Sequence, residues 1–171
     1  MPVNIIEIKA RCHQPLKIKK ILLAHQADFK GIDHQIDTYF NAPIGRLKLR
    51  EGNIENTLIH YNRPNQAGPK NSKVTYRRLP PNTAIKEVLA EAMGILVVVD
   101  KKRGIYFIDN VKFHIDEVKD LGSFVEIEAI DETGTLGIPQ LQTQCDYFME
   151  LLGIVSKDLI KVSYSDLILA L

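Results

Sequence analysis

Two acidic side chains two residues apart, Glu126 and Glu128, are the first in this chain whose type and spacing could do chemistry. They close the stretch Ser123-Phe-Val-Glu-Ile-Glu128, in which charged and apolar residues alternate. Successive side chains of a β-strand point to opposite faces, so Phe124, Glu126 and Glu128 share one face while Val125, Ile127 and Ala129 share the other. Taken alone this is an ordinary half-buried strand with its polar face in water. Two other stretches repeat the alternation with cations. Arg46, Lys48 and Arg50 stand opposite Leu47 and Leu49, and Glu7, Lys9 and Arg11 stand opposite Ile6, Ile8 and Ala10. One sheet with its charged face curled inward accounts for all three.

By parity with their neighbours, Lys9, Arg11, Arg46, Lys48, Arg50, Arg63, Lys73 and Arg103 are candidates to face that interior. An unpaired buried charge costs on the order of several kcal/mol even after relaxation, so so many cations call for an anionic partner. A polyphosphate is the natural one, because arginine offers forked donors and lysine a point charge to phosphate oxygens. Glu7, Glu126 and Glu128, with Asp116 or Asp37, would then hold Mg²⁺ or Mn²⁺, hard ions that bridge carboxylates to phosphates. Lys9 and Arg103 would meet developing charge, and His114 is placed either to move a proton or to make a structural hydrogen bond. The competing reading is a solvated face on which cations and carboxylates pair with each other.

The elements needed to position these groups are legible in turn. An alternating strand spans about 3 to 12, and a helix opened by Pro15 runs toward Gly31. Gln35, Asp37 and Tyr39 share one side of an extended piece over 33–40. Strands follow at about 46–51 and 56–63, around a Glu51-Gly-Asn turn, and at 72–79. A helix begins near Pro80, with Ile85, Val88, Leu89 and Ala92 inward, and closes at Gly94. Strands then fall at 95–100, 103–109, 111–118 and 122–130, a helix at 138–152, and a short helix at about 163–170. About eight strands in all, accompanied by helices, fit an α+β fold, mainly antiparallel: a closed tunnel or barrel with helices packed outside, in a single domain over 1–171.

Net charge is +1, from 22 basic and 21 acidic residues, so no large field exists to hold a nucleic acid or an anionic membrane. The apolar stretches are too short to cross a bilayer and the start lacks a signal-peptide pattern, so a cytoplasmic location is expected. Cys12 and Cys145 lack metal-site or CxxC spacing and read as free thiols. A symmetric dimer is the default for a barrel with exposed edges.

A family resemblance adds to this. Glu7-Ile-Lys9, Gln35-Ile-Asp-Thr-Tyr-Phe40, Gly45-Arg-Leu-Lys-Leu-Arg-Glu51, Lys102-Arg103 followed by Ile105-Tyr-Phe, His114-Ile-Asp-Glu-Val118, Leu121-Gly-Ser-Phe-Val-Glu-Ile-Glu128 and Ser163-Tyr-Ser-Asp-Leu167 together resemble the CYTH superfamily. That superfamily comprises class IV adenylate cyclases, thiamine triphosphatases and inorganic triphosphatases, the triphosphate tunnel metalloenzymes. The resemblance implies an eight-stranded tunnel in which basic residues grip a triphosphate and acidic residues hold a divalent metal. It tilts toward a cyclase making cyclic AMP and pyrophosphate from ATP, with a triphosphatase or a non-catalytic nucleotide or polyphosphate binder as alternatives. One departure stands out. The family's N-terminal signature is Glu-x-Glu-x-Lys, and Ile5 occupies the place of its first Glu.

Overall fold

The computed structural model describes residues 3–62 and 65–171, so Arg63 lies outside the described residues. Eight strands, β1 (Val3–Arg11), β2 (Asp28–Phe40), β3 (Arg46–Glu51), β4 (Asn56–Asn62), β5 (Lys70–Arg78), β6 (Ile95–Ile108), β7 (Val111–Val118) and β8 (Gly122–Asp131), close into one antiparallel barrel. Their spatial order is β1-β5-β4-β3-β2-β6-β7-β8, two meanders joined through β2 and β6 and closed by β1. Closure gives each strand a paired neighbour on both sides.

Alternation sorts the side chains. The outward apolar rows of β1, β7 and β8 (Ile6, Ile8, Val111, Phe113, Val125, Ile127) are buried beneath two helices, α1 (Pro15–Ala24) and α3 (Ile138–Leu151). Ile18 and Leu22 of α1 and Leu141, Cys145 and Phe148 of α3 recur at helical spacing and fill this core. Each such fully buried aliphatic or aromatic contributes about 1.5–3 kcal/mol. The helix α2 (Ile85–Met93) differs: none of its residues is fully buried, and of its expected inward face Ile85 and Leu89 are half-buried while Val88, 63% exposed, and Ala92 face solvent. Gly94 ends it at φ 77°, as expected.

Two boundaries move. The first helix stops at Ala24 rather than Gly31, because Gln26 takes a left-handed φ of 61° and the Ala27 N–H donates to the Leu22 carbonyl. Gly31 instead sits within β2, at a bulge against β6. The two runs read at 95–100 and 103–109 are one continuous 14-residue strand, β6, paired along most of β2. The last helix, α4 (Tyr164–Leu169), starts with a capping box between Ser163 and Asp166. The Arg46 guanidinium donates to both Asp166 oxygens at 2.8 and 2.9 Å and to Ser165 at 3.1 Å, fastening α4 across one end of the barrel. Among the described residues no helix is long and apolar enough to cross a membrane.

Candidate active site

The inward face of the pleat lines a cavity of about 270 Å³, near the lower end of small-ligand sites, which run from about 300 Å³. Its wall is charged in the middle. Lys9 pairs in register with Glu126, and Glu7 with Glu128, across β1 and β8. Lys48 and Arg50 enter from β3, Lys101 and Arg103 from β6, and Lys112 from β7. Next to this band the lining turns apolar, with Val3, Ile5, Ile59, Val74, Tyr76 and Ile130.

Most buried cations already have carboxylate partners. Arg50 donates to both oxygens of Asp37 at 2.9 Å, and Lys101 donates to the same carboxylate at 2.6 Å. Burial alone would raise the Asp37 carboxyl, but Arg50, Lys101 and Lys48 hold it well below the usual carboxylate range. Burial pushes the Lys101 ammonium down to about 7 despite Asp37. On the far side Arg103 forks onto Asp116 at 2.8 and 2.7 Å and reaches Glu126 at 2.6 Å, while the Tyr164 hydroxyl donates to Asp116 at 2.7 Å. Burial works against the Arg103 charge, yet Asp116 and Glu126 raise its pKa well above the ordinary value. These groups pair with each other, as the competing reading expected, but inside the barrel rather than on a solvated face.

Two ammonium groups are held differently. Lys9 Nζ lies 4.0 Å from the centre of the Tyr164 ring, and Lys48 Nζ lies 5.5 and 5.3 Å from the rings of Tyr39 and Tyr61. Lys48 is also 3.7 Å from Asp37. Lys48 also reaches the Tyr39 hydroxyl at 3.5 Å, but a cation resting on a ring face keeps N–H donors to spare, so these two are best placed to donate to phosphate oxygens.

His114, Glu126 and Glu128 form a third grouping, their ligand atoms all within 4.8 Å of one another. His114 is 1% exposed, and neither ring nitrogen has a hydrogen-bond partner. Burial lowers its pKa, with Arg103 adding to the effect, which keeps the ring neutral. Two carboxylates and a neutral imidazole suit a divalent metal. Glu7, in register with Glu128, lines the same cavity.

Several sequence expectations are corrected. Asp37 and Asp116, expected as metal ligands, are instead the hubs of the two arginine clusters described above. Arg11 is exposed at the rim, its guanidinium 5.2 Å from the Phe124 ring, outside the cavity lining. Lys73 is exposed on the outer face, because Ser72, Val74 and Tyr76 take the inward positions of β5. Arg46 is occupied by α4. Of the aromatics considered for stacking, Tyr39 and Tyr61 line the cavity and Phe40 does not, while Tyr76 and Phe107 line it unforeseen.

Other residues were missed. Lys101 shares parity with Arg103, and Lys112 with His114, so the signal was present in both strands. Glu55 has no periodic signal. The loop after β3 folds back so that Asp33 accepts the Ile54 and Glu55 N–H groups at 2.8 and 2.9 Å, which aims Glu55 at Lys112, 2.5 Å away. Gly52 permits this fold, since a Cβ there would meet Asp33 Oδ1 at 2.5 Å.

The solved structures that match share this architecture. PH1012 of Pyrococcus horikoshii superposes with a TM-score of 0.79 at 24% identity, over 98% of this chain and 99% of its own. A candidate adenylate cyclase of Vibrio parahaemolyticus gives 0.78 at 16% identity, over 96% and 97%. HpAC1 of Hippeastrum, a candidate adenylyl cyclase with a dominant triphosphatase activity, gives 0.58 at 15% identity, over 95% and 91%. At these identities the likeness is one of fold. Among curated proteins there is no match. A profile of the CYTH domain, however, matches residues 4–164, nearly the whole sequence. The closed barrel with its charged interior therefore belongs to the CYTH domain family, whose members are adenylate cyclase-like or triphosphatase enzymes acting on triphosphates with a metal.

Proposed function

We propose that this chain converts ATP to cyclic AMP and pyrophosphate in a metal-dependent reaction, using the cavity described above. The observation that carries the reading is the order of the lining along β1 and β8. Ile5 and Ile130 stand across from each other one inward position beyond Glu7 and Glu128, about 7 Å further along the strands. With Val3, Val74 and Tyr76 they make an apolar surface suited to a nucleoside rather than to a bare anion. A nucleoside seated there brings the phosphate nearest to it, the α-phosphate, beside the carboxylates. The β- and γ-phosphates then extend toward Lys9 and Lys48.

In this arrangement the 3′-oxygen attacks the α-phosphorus, its proton leaves, and the bond from the α-phosphorus to the oxygen bridging to the β-phosphorus breaks. Glu7, Glu126 and Glu128 would hold the metal, Mg²⁺ or Mn²⁺, which when bound would neutralise phosphate oxygens and lower the cost of the developing charge. Lys9 and Lys48 stabilise the departing pyrophosphate, while Arg50 and Arg103, fixed by their carboxylates, supply a rigid positive field that needs no reorganisation. Ile5, which removes one acidic group from the family signature, contributes to the nucleoside surface.

A triphosphatase is the second reading. It is favoured by the closeness of Lys9 and Lys48 to the acidic groups, which serves a γ-phosphate equally well, and by the activity of the Hippeastrum protein. Product analysis separates the two. Protein is incubated with ATP, tripolyphosphate or thiamine triphosphate, each with Mg²⁺ and with Mn²⁺, and products are resolved chromatographically. Cyclic AMP with pyrophosphate is the expected outcome. Phosphate release without cyclic AMP would replace the cyclase with a triphosphatase, and no product from any mixture would leave a binder.

A further inference from the structure

We propose that His114 is itself a metal ligand, so that the centre is a mixed nitrogen and oxygen site that prefers Mn²⁺, Co²⁺ or Zn²⁺ over Mg²⁺. The inference rests on the reading of Glu126 and Glu128 as metal-holding carboxylates and goes beyond it by fixing the third donor and the class of ion.

Three observations on the ring point the same way. It is 1% exposed, and both nitrogens lack any hydrogen-bond partner. A buried polar atom left unsatisfied costs about 1–3 kcal/mol, so an orphaned imidazole packed directly behind Glu126 and Glu128, which line the cavity, calls for a partner of another kind. Its Nδ1 lies 3.8 Å from Glu126 Oε1 and 3.7 Å from Glu128 Oε1. Those separations are too long for hydrogen bonds, which end near ~3.2 Å. They do suit ligands of one ion. With ligand distances of about 2.1 Å, two donors stand about 3 Å apart at a right angle and about 4.2 Å apart in line; both distances from His114 fall between these limits, and the full set, within 4.8 Å, closes on one ion with a shift of a few tenths of an ångström.

The placement is built into the sheet. His114 is the direct cross-strand neighbour of Glu126, and Lys112 that of Glu128. The ring is therefore fixed by β7 against β8, under the helix-backed core on the outer side. Imidazole favours borderline transition ions, whereas Mg²⁺ binds oxygen donors almost exclusively, so one nitrogen in the set changes the ion of choice.

The test uses the full chain without nucleotide, so it stands apart from turnover. Mn²⁺ is added and pulsed EPR is used to look for the ¹⁴N coupling of a directly bound imidazole; isothermal titration with Mn²⁺ and with Mg²⁺ runs in parallel. The expected result is a ¹⁴N coupling in the native protein that disappears in His114→Asp, together with a loss of Mn²⁺ preference over Mg²⁺ on the order of tenfold or more. Mn²⁺ binding that depends on Glu128, as judged by Glu128→Gln, but shows no nitrogen coupling would overturn the inference while leaving the carboxylate site intact. No Mn²⁺ binding to the native protein would overturn both. The native spectrum decides the matter even where His114→Asp folds poorly.

Discussion

The two long walls of the barrel are built differently. The wall of β1, β7 and β8 is backed on its outer side by α1 and α3 and carries Lys9, His114, Glu126 and Glu128 on its inner side. The wall of β3, β4 and β5 is less fully backed: Leu49 is buried on its outer side, but Lys73, Thr75 and Arg77 are exposed there, while Ile59, Val74 and Tyr76 line the cavity inside. The groups proposed to meet a metal, which must be held within a few tenths of an ångström, stand on the wall whose side chains are locked by packing. The thinner wall carries apolar contacts, which tolerate small displacements because dispersion and burial are not directional. On the proposed reading, the barrel divides chemistry from recognition by how firmly each wall is supported.

The join between the walls is where the largest effect is expected. Asp37 of β2 binds Arg50 of β3 and Lys101 of β6, and Lys48 lies 3.7 Å away. Asp37→Ala leaves three inward cations short of their carboxylate, and breaking a buried pair in this way costs about 3–5 kcal/mol. A urea denaturation midpoint that falls steeply is the expected outcome; an unchanged midpoint would mean that the walls are held by their ladders alone. Next comes the backed wall. Glu128→Gln lowers metal-dependent turnover on the order of 10²–10³-fold with little change in melting, since its side chain is partly exposed and it is no hub of arginine binding. Glu126→Gln costs stability as well, because Arg103 and Lys9 depend on that carboxylate.

Lys101 gives the join a pH signature. Burial lowers its folded pKa from 10.5 to about 7, so between those values the unfolded chain holds a proton that the folded chain has shed. Stability contributed by this group therefore rises as pH climbs through 7 toward the ordinary lysine range, the opposite of a lysine stabilised by its partner. A melting series from pH 6 to pH 10 checks it: Lys101→Met flattens the rise, and an equal rise in both proteins would assign it elsewhere.

Much of this architecture was open to reading from alternation alone. Parity placed Lys9, Lys48, Arg50, Arg103 and Glu126 on the inner face, since a pleated strand leaves a side chain no third choice. It failed for Lys73, where the register of β5 was taken one residue off, and a slip of one residue reverses every side chain. Lys101 was lost when β6 was divided at Asp100, although its parity with Arg103 would have revealed it. Arg46 points along the inner face yet serves α4, and Asp116 and Asp37 hold arginines rather than metal. Alternation tells which face a group occupies; the choice between partner and ligand is made by distances across strands far apart in sequence. Glu55 was illegible because a loop, not a strand, delivers it.

The smallest effect expected belongs to the thin wall and bears most directly on what it recognises. Tyr76 pairs with Ile59 in register and borders Val74 on the inner face. Its hydroxyl donates to Glu132 at 3.3 Å and the Arg78 guanidinium lies 5.7 Å from the ring centre, so on the proposed reading a nucleoside takes the face that Arg78 leaves open. Stacking of a base on an aromatic ring is worth about 1–3 kcal/mol, so Tyr76→Ala weakens ATP binding by roughly tenfold. Tripolyphosphate has no base, so its binding stays within about twofold if the ring acts only through stacking. Calorimetric titration of both ligands into both proteins makes the comparison. Equal losses for the two ligands would mean that the wall supports the phosphate-binding side instead, and the division between a catalytic wall and a recognising wall would fall with it.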